Sequence, residues 1–81
     1  KNSDLFEKLR ELRKEMARKG RTMPYRILTD DVLVELVKKT PVTAEESMRI
    51  EGVGEQKARR IIPKFLEAIR DWRNNELKKG F

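Results

Sequence analysis

The chain contains the sequence Ile50-Glu51-Gly52-Val53-Gly54 between two stretches whose apolar residues recur at helical spacing. Two glycines around one apolar residue favour a tight turn, because glycine adopts backbone angles that other residues avoid. We therefore predict that one helix ends here, that Val53 docks into the core, and that another helix follows. No useful length of sequence alternates apolar and polar residues, so we predict no sheet and an all-α fold.

Downstream of this turn the helical pattern runs from Glu55 to about residue 78, with Pro63 inside it. Proline disfavours a helix interior by ~3 kcal/mol and restricts the residue before it. Either one helix kinks at Pro63, or a helix over 55–61 is followed by another over 63–78 that has Pro63 in its first turn. We favour the second arrangement.

Upstream of the turn, Thr43 and Glu46 have the spacing of a capping box, which predicts a short helix over 44–50. Before it, Thr29 caps a helix that Pro41 ends. The residues predicted to face inward are Ala44, Met48 and Ile50 in the short helix, and Val32, Leu33, Leu36 and Val37 in the longer one.

The N-terminal residues predict an amphipathic helix over about 4–19, after which Gly20 takes a left-handed conformation. Residues 20–28 are predicted to be a connection, because Pro24 disfavours a helix interior. The stripe of the first helix is Leu5, Leu9, Leu12 and Met16, and the connection tucks Ile27 and Leu28 into the core. The result is a compact bundle of about five short helices, one domain over residues 1–81.

The composition excludes several kinds of site. The 81 residues include no cysteine and no histidine, so thiolate metal sites, disulfides and the commonest general base are absent. With no phosphate loop or nucleophile–base pair either, we predict no cofactor, no metal and no catalytic residue. No apolar run approaches the ~18 residues of a membrane span. We expect a soluble protein of the bacterial cytoplasm, or of the nucleus if eukaryotic. Because Lys1 is not Met, we also expect a piece of a larger protein, monomeric in isolation.

Charge divides the chain into three parts, within a net charge of +6 at pH 7. Residues 1–26 have nine basic and four acidic side chains, net +5, and residues 52–81 have eight and four, net +4. Residues 27–51 have three basic and six acidic side chains, net −3. If the basic ends meet, they form a positive face suited to phosphate backbones. The alternative is that these charges only solvate a small helical domain.

Four segments occur in an order typical of a known family. They are Met23-Pro24-Tyr25-Arg26-Ile27-Leu28, then Thr29-Asp30-Asp31 with Leu33, then Pro41-Val42-Thr43, and finally Ile50-Glu51-Gly52-Val53-Gly54-Glu55-Gln56-Lys57. In this order they closely resemble the HRDC domain of RecQ-type DNA helicases and ribonuclease D, over about residues 3–73. Many members have an aromatic residue and a glycine where this chain has Ile61-Ile62, so the helix break near Pro63 stays open.

The resemblance implies a five-helix accessory module without catalysis, most like that of a bacterial RecQ-type helicase, an ATP-dependent enzyme. Such a module weakly holds single-stranded or partly unwound DNA. One alternative is docking on the helicase core or a partner protein, and another is the RNA-binding module of a ribonuclease D. The docking alternative rests on the acidic middle: Asp30, Asp31, Glu35, Glu45, Glu46 and Glu51.

The first candidate interface surrounds the end of the first helix and comprises Arg18, Lys19, Arg21, Tyr25 and Arg26. Single-strand binders combine cations for the backbone with aromatic faces for the bases. Tyr25 beside Pro24 is expected to be exposed; the alternative is that it packs inward and shows only its hydroxyl. Arg21 and Arg26 lie outside the helix and are the cations least subject to neutralisation by local acids.

The second candidate interface is the glycine turn, which resembles a helix-hairpin-helix turn and offers N–H groups to a phosphate. Its residues are Gly52, Gly54, Lys57 and Arg60. The alternative is a turn whose glycines serve only geometry, favoured because Glu55 would repel a phosphate. Other prominent side chains are expected to be structural: Trp72, Met16, Met23 and Met48 in the core, and Arg13 along its edge.

Overall fold

The computed structural model describes residues 2–79 and contains helices without any strand in that range, which confirms the predicted all-α class. It has six helices there rather than about five, because the predicted connection over 20–28 includes a helical turn. The helices are α1 (Asn2–Gly20), α2 (Pro24–Ile27), α3 (Asp30–Lys39), α4 (Ala44–Ser47), α5 (Glu55–Arg60) and α6 (Ile62–Lys79).

The short helix α2 corrects the prediction that residues 20–28 only connect two helices. Pro24 is its first residue, where the missing N–H is not needed and the fixed φ favours the helix. The Arg26 N–H donates to the Met23 carbonyl at 3.0 Å, and the Leu28 N–H donates to the Pro24 carbonyl at 3.3 Å. Proline therefore begins a helix here instead of preventing one.

The C-terminus of α1 is a Schellman motif, in which two N–H groups reach back to the last turn. The Arg21 N–H donates to the Arg18 carbonyl at 3.2 Å, and the Thr22 N–H donates to the Ala17 carbonyl at 2.9 Å. The left-handed residue is Arg21, with φ 54°, whereas Gly20 belongs to the helix. The prediction for Gly20 was therefore wrong by one residue.

The predicted N-cap of α3 is confirmed. The Thr29 hydroxyl accepts a hydrogen bond from the Val32 N–H at 3.4 Å, and α3 ends at Lys39, two residues before Pro41. All four residues predicted for its inner face are buried: Val32, Leu33, Leu36 and Val37.

Helix α4 is shorter than predicted. Its cap is present, since Thr43 Oγ1 accepts from the Glu46 N–H at 3.1 Å, but the Glu46 carboxylate accepts from the Val42 N–H at 2.7 Å instead of completing the box at Thr43. After Ser47 the chain tightens into turns, which bury Ser47 and leave Met48 43% exposed. The inward placement of Met48 was therefore wrong, and that of Ile50, 2% exposed, is confirmed.

The glycine turn and the break at Pro63 form as predicted. Val53 is 5% exposed and belongs to the core, and Gly52 has φ 100°. Helix α5 ends before Ile61, and α6 begins at Ile62 with Pro63 in its first turn, which is the second of the two arrangements considered.

The core forms where α1 packs against α2, α3 and α6, and where α5 packs against α4 and α6. Trp72 and Met16 are half-buried against it, as expected. Among residues 2–79, no helix has both the length and the apolar character that crossing a membrane requires. The largest fully buried apolar side chains of the core are Phe65, Leu5, Leu9, Leu28, Leu33, Leu36, Ile50, Ile62 and Ile69.

Candidate nucleic-acid interface

The first candidate interface lies on the last turn of α1, the Schellman residue and α2. Tyr25 is 59% exposed, which confirms the predicted exposure of its ring, and α2 buries none of its own residues. Met23 is 55% exposed beside it, so its assignment to the core was wrong. Met23 is the N-cap residue of α2 and has an extended backbone conformation. Two large apolar side chains thus face solvent within three residues.

The cations around Tyr25 differ in whether they form an ion pair. Arg18 forms an ion pair with Glu15 one turn earlier, at a spacing that brings side chains together on a helix. Lys19, Arg21 and Arg26 are exposed and take part in no ion pair within residues 2–79. Such cations can take a phosphate as partner without first losing a carboxylate.

The second candidate interface is built differently. Gly52 is needed for geometry: its φ is +100°, and an added Cβ would lie 3.0 Å from Val32 Cγ2. Gly54 caps α5 without a side-chain hydrogen bond, and an added Cβ there would meet nothing within 4 Å. Gly54 therefore gives the first N–H groups of α5 no side-chain acceptor, although α5 has only 6 residues and hence a weak dipole.

The charges near the glycine turn are partly compensated. Glu55, which was expected to repel a phosphate, accepts a hydrogen bond from Arg59 at 2.8 Å. Lys57 is half-buried and Arg60 exposed, and neither forms an ion pair with another residue of the range 2–79. Two cations thus remain available one turn into α5.

The two candidate interfaces lie on different helices with different neighbours. α2 packs on α1, whereas α5 packs on α4 and α6. The basic ends of the chain do meet, since α1 packs on α6, but the groove of about 520 Å³ between them has mixed charge. It is lined by Asp4, Glu7, Lys8, Trp72, Asn75, Glu76 and Lys78. The groove therefore adds no positive surface to either interface.

Arg13 is a buried part of the structure rather than a side chain along the edge of the core. It is 9% exposed, and its Nη1 donates to the Leu28 carbonyl at 2.9 Å and lies 2.8 Å from Asp30 Oδ1. The sequence signal for this role was weak: Arg13 flanks the apolar stripe and has no acid three or four residues before it. Its true partners are 15 and 17 residues later in the chain, beyond any local spacing rule.

The described residues include no group of three or more acids, histidines or cysteines that could hold a metal ion. The two candidate interfaces present an aromatic face, backbone N–H groups and cations that form no ion pair within residues 2–79.

Comparison with known proteins identifies the family. The family model of the HRDC domain matches residues 2–69. The chain is 41% identical over 68 residues to the ATP-dependent DNA helicase RecQ of Bacillus subtilis (strain 168), covering 84% of this chain and 12% of that protein. It is 37% identical over 68 residues to the ATP-dependent DNA helicase RecQ of Pasteurella multocida (strain Pm70), covering 84% of this chain and 11% of that protein. The chain thus spans about an eighth or less of these relatives, and it belongs to the HRDC domain family, as its sequence features indicated.

Proposed function

We propose that this chain is an accessory nucleic-acid-binding module of a RecQ-type helicase, with its folded core at about residues 3–73 of a larger protein. It holds single-stranded or partly unwound DNA weakly and carries out no chemistry itself. The observation that carries the proposal is the 59% exposed ring of Tyr25 among three cations that form no ion pair within residues 2–79. Support for the helicase context comes from the relatives named ATP-dependent DNA helicase RecQ.

Binding at the first interface has two contributions: stacking of a base on Tyr25, and attraction between cationic side chains and phosphates. A base stacked on Tyr25 contributes roughly 1–3 kcal/mol and requires no particular sequence. Arg21 and Arg26 lie on either side of Tyr25 in the chain and engage the phosphates, while Lys19 and Arg18 extend the positive charge back along α1. A flat duplex stack offers no free base face, so the arrangement favours single strands.

The glycine turn supplies a secondary phosphate contact in this proposal. Lys57 and Arg60 provide the charge, and the N–H groups after Gly54 are open because no side chain caps them. Gly52 acts indirectly, by allowing the turn. We assign the turn a smaller share of the affinity than the Tyr25 region, because it has no aromatic side chain.

A second candidate function is docking on the helicase core or a partner protein through the acidic middle of the chain. One observation favours it: Val34 is 39% exposed on the outer side of α3, an apolar residue in a groove of about 650 Å³ with charged walls. Its lining is Thr29, Asp31, Val34, Glu35, Lys38, Lys39, Arg49 and Glu51. Its three carboxylates and three cations would suit a protein partner that places an apolar side chain on Val34 between charges of both signs.

The test is a titration of the chain into labelled single-stranded DNA, duplex DNA and single-stranded RNA at several salt concentrations. We expect single strands to bind best, with an affinity that falls as salt rises because counterions are released. Arg21→Ala and Tyr25→Ala should each weaken binding, and Arg10→Ala, which removes a cation of α1 already paired with Glu7, is the matched control. A stronger affinity for RNA than for DNA would favour the ribonuclease D alternative. Absence of binding at low salt would overturn the proposal and direct the search to the α3 groove.

A further inference from the structure

A single buried guanidinium joins three helices next to the first interface. Arg13 Nη1, on α1, donates to the carbonyl of Leu28, the C-cap residue of α2, at 2.9 Å. The same nitrogen lies 2.8 Å from Asp30 Oδ1, at the first residue of α3. The Arg13 side chain is 11% exposed, whereas that of Asp30 is 80% exposed. This bridge, Leu28–Arg13–Asp30, spans the junction between the helix that carries Tyr25 and the next one.

Helix α2 packs on α1, but few of its own side chains fix its position. It is 4 residues long and has no buried residue of its own. Its attachments at the C-terminal end are the half-buried side chain of Ile27, the buried side chain of Leu28 and the bond from Arg13 to the Leu28 carbonyl. A one-turn helix has almost no intrinsic stability, so tertiary contacts determine how firmly it is held.

We infer that Arg13 and Asp30 are positioning residues for the nucleic-acid interface: they hold α2 so that Tyr25 and Arg26 face the ligand. This inference rests on the proposed function. Neither residue needs to contact the nucleic acid. Arg13 is too buried to reach it, and Asp30 carries the same charge as a phosphate.

The sign of the Asp30 charge makes the inference testable against simple electrostatics. Removing a negative charge close to a bound polyanion should strengthen binding. Loss of a positioning carboxylate should weaken it. Asp31 is the matched control, because it is the next residue in the first turn of α3 and forms no ion pair within residues 2–79. Asp30→Asn and Asp31→Asn thus remove the same charge at nearly the same place, and only the first affects Arg13.

The experiment compares these two variants with the unchanged chain, by titration with labelled single-stranded DNA and by amide hydrogen exchange. We expect Asp30→Asn to weaken binding about threefold, as the loss of a partly exposed ion pair implies, and Asp31→Asn to leave it unchanged or stronger. Exchange should accelerate in Asp30→Asn at the Arg26 and Leu28 amides, whose acceptors are the Met23 and Pro24 carbonyls. Equal affinities for the two variants, or tighter binding by Asp30→Asn, would overturn the inference.

A second pair of variants tests the guanidinium itself. Arg13→Met keeps the apolar stem and removes the charge, and Arg10→Met does the same at an exposed position whose ion pair is with Glu7, 3.5 Å away. We expect Arg13→Met to bind about tenfold more weakly, within the range that loss of one stacked base gives. Arg10→Met should lose less affinity, and Arg13→Lys should recover part of the affinity that Arg13→Met loses. If Arg13→Met does not fold, Arg13→Lys against Arg10→Lys gives the same comparison.

The two possible failures are distinguishable. If the unchanged chain binds no single strand, the proposed function is wrong, while faster exchange at Arg26 and Leu28 in Asp30→Asn still shows that the bridge holds α2. If the unchanged chain binds and Tyr25→Ala weakens it, but the Asp30 and Arg13 variants match their controls in affinity and exchange, the positioning role is wrong and the proposed function stands.

Discussion

Arg21 has the least favourable backbone conformation for its residue type in the candidate interface. Its φ of 54° lies in the left-handed region, which costs a residue with a Cβ roughly 1–2 kcal/mol and costs glycine almost nothing. Gly20 is next to it, yet the chain turns at the arginine. A cationic side chain is therefore held at the end of α1 at some expense in stability, a pattern associated with functional positions.

Arg21→Gly should therefore change stability and binding in opposite directions. We expect the free energy of unfolding to rise by up to about 1 kcal/mol, since relief of the left-handed residue exceeds the greater freedom of glycine in the unfolded chain. Affinity for single-stranded DNA should fall, because one phosphate contact is lost. Urea denaturation and DNA titration measure the two effects. Arg21→Asn, which tolerates this φ and also lacks the charge, is the control, and a loss of stability in both variants would contradict the argument.

Substitutions at Tyr25 can separate the contribution of its ring to binding from that of its hydroxyl. If the ring stacks on a base, Tyr25→Phe should bind single strands nearly as well as the unchanged chain, and Tyr25→Leu should lose roughly 1–3 kcal/mol of binding free energy. Since the side chain is 59% exposed, neither change should alter stability by more than about 0.5 kcal/mol. Titrations at one salt concentration measure this. Equal losses in both variants would indicate instead that the hydroxyl forms the contact.

At the scale of helices, the glycine turn shows why two similar residues have different roles. Gly52 has a positive φ and faces Val32 Cγ2 of α3, whereas Gly54 has φ −89° and open space around it. The first glycine is required by the packing of the turn on α3. The second is not required by backbone or packing, so a side chain is tolerated there.

The same substitution at the two glycines should therefore give different results. Gly52→Ser should destabilise the domain by about 1–3 kcal/mol, because of strain at positive φ and a tight contact with Val32. Gly54→Ser should be neutral or stabilising by a few tenths of a kcal/mol, because serine at an N-cap accepts a hydrogen bond that glycine cannot. Thermal unfolding of both variants measures this. A destabilised Gly54→Ser would show that the position has a constraint absent from its surroundings.

Helices and turns could be predicted from the sequence where residues close together in the chain determine them. The caps at Thr29 and Thr43, the docking of Val53 and the new helix at Pro63 all depend on neighbours within a few residues. The helix α2 was missed because proline at a first helical position and proline in a connection give the same local pattern.

The residues of the first candidate interface could be predicted from the sequence, but the contacts that hold them in position could not. The exposure of Tyr25 followed from its place beside Pro24, and the lack of ion pairs at Arg21 and Arg26 within residues 2–79 followed from their position outside the first helix. The bridge from Arg13 to Leu28 and Asp30 did not, because it joins residues that only the tertiary fold brings together. Met23 was misplaced for a related reason: its apolar side chain favours burial, but the turn into α2 leaves it exposed.

At the scale of the whole molecule, the net charge of +6 is less informative than its distribution. The groove between the basic ends contains three carboxylates, so bringing the ends together does not produce a uniform positive face there. The salt dependence of binding should then depend on which cations meet phosphates rather than on the total charge. Counterion release counts only the phosphates that are neutralised.

Two double variants of identical net charge separate local from overall charge. Arg21→Ala with Arg26→Ala removes two cations beside Tyr25, and Lys64→Ala with Arg70→Ala removes two exposed cations of α6. Each neutralised phosphate of a single strand contributes about −0.7 to the slope of log affinity against log salt. We expect the first variant to reduce the magnitude of that slope by about 1.4 and the second to leave it nearly unchanged. If both reduce it equally, the chain attracts DNA through its overall charge, and the assignment of the interface to the end of α1 and α2 is wrong. A reduction confined to the first variant would assign the phosphate contacts to the residues that flank the exposed ring.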